Sequence, residues 1–129
     1  MGQMAVGILY GVEAPDDLPD EDGEGGAYGL VMRWEEAKGI KWTSGGPKVR
    51  AKSEGGTSLL GVWVAVGGGG EDGAAHFLEQ CMLLADVANV YARNISKAEK
   101  LWQRFAAWAE KEGVKLPPAK LWLTPCEVA

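Results

Sequence analysis

At 129 residues the chain is the size of one ordinary domain, and its 47% hydrophobic and 24% charged residues exclude wholesale disorder. Two cysteines and one histidine are too few for a disulfide scaffold or a zinc site, and a net charge of −5 disfavours a general nucleic-acid surface. The longest apolar run, Leu59 to Val66, is far short of the about 20 residues that a spanning helix needs, and no basic segment opens the chain, so a cytoplasmic protein with no membrane contact is expected.

Residues 5–13 alternate, with Val6, Ile8, Tyr10 and Val12 on one face, and predict a strand. An acidic, Gly/Pro-rich loop follows over residues 14–26. Residues 27–35 alternate again, with Tyr28, Leu30, Met32 and Trp34 on one side, and predict a second strand. Ile40–Trp42 and Lys48–Lys52 flank Ser44-Gly45-Gly46-Pro47 and read as a hairpin, and Ser53–Thr57 reads as a further turn. Leu59 to Val66 is apolar at almost every position, which predicts a central strand buried on both faces.

Gly67–Gly70 end that strand. A helix is expected from Ala74 to Arg93, with Asp72 as its N-cap, and a second from Lys97 to Glu112, where Ser96 and Glu99 form a capping box. Gly113 stops the second helix, Pro117-Pro118 prevent its return, and Leu121–Leu123 predicts a short last strand. The order implies one α+β domain over residues 1–129. Its mostly antiparallel sheet should have five or six strands, with two consecutive helices packed on one face.

On the second helix Ala98, Leu101, Trp102, Phe105, Trp108 and Ala109 form a broad apolar face, and Lys97, Lys100, Arg104 and Lys111 form a cationic stripe beside it. The first helix is apolar nearly all round. Leu83, Val87 and Val90 fall off its core stripe, so they are candidates for a partner or a second copy, with the sheet and the second helix as the plainer cover.

Charge is uneven. Residues 1–32 hold seven acids and no Lys or Arg, while the other 11 of the 18 acids share the chain with 13 bases. Asp16, Asp17, Asp20, Glu21, Asp22 and Glu24 therefore form a candidate contact for a basic partner surface, against the alternative of a merely solvated loop. Asp20-x-Asp22-x-Glu24-Gly25 imitates the start of a calcium loop, but Val31 stands where the bidentate glutamate belongs, so no metal is expected.

Gly68-Gly69-Gly70-Glu71-Asp72-Gly73 satisfies a dinucleotide-loop pattern between a strand and a helix. Glu71 and Asp72 oppose a phosphate there, and no strand-end acid follows to hold a ribose. His76 and Cys81 lie five residues apart and diverge on a helix, so they do not make a catalytic pair. No catalytic residue and no cofactor is expected. The sequence points to a non-enzymatic protein-binding module, with the character of a small acidic inhibitor of the immunity or phage-encoded type. A structural homo-oligomer or phage-type assembly subunit, and a phosphate or nucleotide binder using Gly67–Gly73, are the alternatives.

Overall fold

A computed structural model describes residues 3–15, 18, 26–41, 43–54, 57–65, 77–78 and 84–128. Its sheet is built around β1 (Gln3–Glu13). On one edge β1 pairs antiparallel with β3 (Thr57–Ala65), from Ile8↔Ala65 to Glu13↔Leu59, and β3 pairs in turn with β2 (Val49–Glu54). On the other edge β1 pairs with β5 (Lys120–Val128), from Gln3↔Val128 to Gly11↔Lys120. The two-residue β4 (Phe77–Leu78) meets Val6 and Ala5 beyond the β3 pairing. Among the described residues the sheet has four long antiparallel strands, short of the five or six expected, and the two-residue β4 is a minor fifth.

Two helices, α1 (Gly26–Lys38) and α2 (Leu84–Lys111), pack on β1, β2 and β3. No helix among the described residues is long and apolar enough to cross a membrane. From the sheet come Val12, Val49, Leu60, Val62 and Val64; from the helices Leu30, Val31, Trp34, Ala98, Leu101, Trp102, Phe105 and Ala109. The α+β class, the antiparallel sheet and the helical layer agree with the sequence reading.

Three elements differ from expectation. The segment 27–35 is a helix, not a strand. Its alternation of Tyr28, Leu30, Met32 and Trp34 coexists with a second spacing, Ala27, Leu30, Val31 and Trp34, which is one face of a helix. The second pattern wins: Leu30, Val31 and Trp34 are buried, while Tyr28 and Met32 lie outside. The hairpin is also displaced. Residues 40–41 are irregular, and β2 pairs instead with β3, from Val49↔Val62 to Glu54↔Thr57.

The two consecutive helices are one. Residues 77–78 form β4, α2 starts at Leu84, and it continues through Asn94-Ile95-Ser96 without a break. Tyr91, Ile95, Ala98, Leu101, Trp102 and Phe105 keep an unbroken three-and-four spacing through the expected break, and weak helix formers there cost only a few tenths of a kcal/mol each. Asn94 has a tertiary task instead: its Nδ2 donates to the Val64 carbonyl at 2.9 Å, tying the helix to β3.

Both helices close in the same way. Gly39 and Gly113 have φ of 67° and 87°. Ile40 N–H donates to Glu35 O and Gly39 N–H to Glu36 O; Val114 N–H donates to Ala109 O and Gly113 N–H to Glu110 O. This is the Schellman closure, in which a left-handed glycine turns the chain back onto the last carbonyls. Gly113 holds the expected stop position.

Gly11 and Gly61 face one another where β1 crosses β3. A Cβ on Gly11 would collide with the Leu60 carbonyl oxygen, and one on Gly61 would stand 2.7 Å from Tyr10 O. Glycine is required at both positions by backbone approach.

Candidate functional site

The last turns of both helices meet in a groove of about 590 Å³. Trp34 of α1 and Leu101 and Trp108 of α2 line its inner part, while Ile40 and Pro47, from the connection between α1 and β2, form a further wall. The α2 residues Leu101, Arg104, Trp108 and Lys111 follow three-four-three spacing, which puts them on one line along the helix.

The aromatic floor is held by its neighbours. Trp34 meets Phe105 edge-on at 5.4 Å and Trp108 at 5.6 Å, and Phe105 also lies 5.4 Å from Trp102. Trp34 is nearly fully buried, whereas Trp108 is half-buried and offers ring surface to the groove. Such packed rings lose little freedom on contact with a ligand.

Lys38, Arg104 and Lys111 line the rim, and among the described residues no acidic side chain lines the groove. Lys38 Nζ sits 5.4 Å from the Trp34 ring centroid, within cation–π range. Arg104 and Lys111 are exposed and make no ion pair among the described residues. These three cations are the charged side chains that line the groove among the described residues, each helix C-terminus offsetting about half a charge. The groove can therefore attract an anion and pack an apolar group between the charges.

The cationic stripe read from the sequence is divided by the fold. Lys97, Lys100, Arg104 and Lys111 are all exposed, but only the last two line the groove. Val90 is buried within the chain. Leu83 and the side chain of Val87 lie outside the described residues, as do Asp16, Asp17, Asp20, Glu21, Asp22 and Glu24, the run Gly67–Gly73, His76 and Cys81. Among the described residues no three His, Cys, Asp or Glu side chains are placed to hold a metal ion.

Lys38 and Trp34 were not legible as site residues, because a strand over 27–35 separates them from α2. The signal was Ala27, Leu30, Val31, Trp34 and Lys38, which continue one helical face.

The opposite sheet face has aromatic and basic side chains too. Trp63 and Trp122 flank Leu9 in register, and Lys52 Nζ lies 6.0 Å from the Trp63 ring. The Trp122 indole N–H donates to Gly11 O at 3.1 Å, which fixes that ring against β1. Arg50 and Lys52 already have partners, so this face is less available than the groove.

Compared with family models, curated proteins and solved structures, the chain matches none.

Proposed function

We propose that this chain is a non-enzymatic module that binds another protein by contact, using the groove between α1 and α2 as its docking site. The observation that supports this reading is the pairing of a rigid tryptophan floor with three rim cations and no carboxylate among the described lining residues. Packed tryptophans beside an arginine are the composition of interface hot spots, where a few side chains dominate binding, and the lysines add charge at the rim. The partner segment is acidic with an apolar anchor.

The six carboxylates from Asp16 to Glu24 form a second proposed contact, toward a basic surface of the same or another partner. It rests on the charge pattern alone. An inhibitor acting by contact needs no more than these two surfaces.

Site-specific photocrosslinking in the native cell tests the groove. A photoreactive residue replaces Ala107, which lines the groove, or Gln103, which is exposed and does not. The expected result is a discrete protein adduct from position 107 that is lost with Arg104→Glu/Lys111→Glu. Equal adducts from both positions, or adducts indifferent to those charge reversals, reject the groove as the contact. An adduct of the chain with itself assigns the groove to a homo-oligomer.

A further inference from the structure

We infer that the groove takes an acidic amphipathic helix that carries two carboxylates seven residues apart with one apolar side chain between them. This rests on the reading of the groove as a protein-docking site and specifies the segment it accepts.

Arg104 and Lys111 are seven residues apart in a continuous helix, so their stems leave α2 about 10.5 Å apart along its axis. Trp108 stands between them on the same line. The groove therefore presents cation, aromatic ring and cation in sequence, and its occupant must answer with carboxylate, apolar group and carboxylate at that pitch.

Backbone geometry selects the conformation. An extended segment repeats on one face every two residues, at roughly 6.8 Å, and again at roughly 13.5 Å, so it straddles the required distance. A helix places residues i, i+4 and i+7 on one face and spans the same 10.5 Å. The three-four-three spacing of Leu101, Arg104, Trp108 and Lys111 is also that of a seam between two helices packed at a shallow angle. Lys38 contributes a third cation from α1.

A nucleic-acid strand would also meet cations and rings. The acidic balance of the whole chain, with a pI near 4.9, opposes it, whereas a short acidic helix feels mainly the local rim.

Synthetic peptides of about 18 residues test the inference against the full chain. One carries Glu-x-x-x-Leu-x-x-Glu in a helix-favouring background; a second has the same composition with the glutamates and leucine respaced; a third carries a central proline. A single-stranded oligonucleotide of equal charge is the fourth probe. Binding is followed by tryptophan emission, and induced helix by circular dichroism. Because exposed ion pairs are individually weak, the spaced peptide is expected to bind about tenfold tighter than the respaced one. It should gain helix on binding and lose affinity with Arg104→Glu/Lys111→Glu but not with Lys97→Glu/Lys100→Glu. All four positions are exposed, and thermal melts confirm that the variants fold.

Equal binding of all three peptides with the Arg104/Lys111 dependence intact overturns the helix and leaves the docking groove standing. Binding that ignores those two residues, no peptide binding, or tighter binding of the oligonucleotide overturns the inference; the photocrosslinking result then decides the groove separately.

Discussion

The rings of Trp34 and Trp108 meet edge-on, with centroids 5.6 Å apart and planes inclined at 66°. Both rings line the groove, but Trp34 is also buried in the core whereas Trp108 is half-buried. Trp34→Ala should destabilise the chain by about 3–5 kcal/mol, the usual cost of deleting a buried indole. Trp108→Ala should cost about half as much, because its ring already meets solvent, yet it should remove more binding per unit of lost stability. Urea denaturation of the two variants checks the ratio. Equal losses would show that Trp108 is as much a core residue as Trp34, with little ring surface left for a ligand.

Gly11→Ala should be among the most damaging small substitutions. The added methyl meets the backbone of β3, which cannot rotate away as a side chain could. A loss of about 3 kcal/mol is expected from such overpacking. Gly45→Ala is the control, since nothing lies within 4 Å of a Cβ there, and it should change stability by less than about 0.5 kcal/mol. Comparable thermal midpoints for the two variants would mean that β1 and β3 can separate without penalty.

Asn94→Ala removes the donor to Val64 O. Leaving that carbonyl without its partner costs about 1–3 kcal/mol, and the better helix propensity of alanine returns about 0.5. A net loss near 1–2 kcal/mol is expected, while Asn89→Ala, at an exposed position of the same helix, should be neutral or slightly stabilising. Chemical denaturation of the pair separates the tertiary bond from propensity. An Asn94→Ala variant as stable as Asn89→Ala removes the tie between α2 and β3 from the account.

Gly39 and Gly113 hold left-handed backbone. Replacing either by L-alanine should cost about 1 kcal/mol, whereas D-alanine, introduced by chemical synthesis, should be neutral or stabilising by limiting the unfolded chain. Opposite signs for the two enantiomers are the expected signature in thermal melts. Loss with both would indicate that steric crowding, not handedness, selects glycine.

The chain announces much of its sheet. The alternation of Val6, Ile8, Tyr10 and Val12 gives β1, and the apolar run from Leu59 gives an interior β3, because both patterns have a single structural reading. The segment 27–35 has two. Its period-two alternation and its three-four spacing share Leu30 and Trp34, and only packing against β2 and α2 selects the helix. Asn94-Ile95-Ser96 misleads for the opposite reason. Residues favoured at helix starts serve here as interior residues, and the partner that makes Asn94 useful, Val64, is 30 positions away. The apolar face of α2 and its flanking cations were legible from spacing. The groove was not, because Lys38 and Trp34 reach it only after the chain has folded back across the sheet.

The β1–β5 ladder ties Gln3 to Val128. β1 thus completes its pairing only after every residue between it and β5 has been synthesised. A nascent chain still lacking β5 has β1 with one side unmatched, an adhesive backbone that its own sequence has yet to cover. Contacts this remote also make the last step of assembly slow relative to closing the β2–β3 hairpin. During that interval an outside strand can compete for the vacant side, so faithful folding depends on β5 arriving before a stranger does.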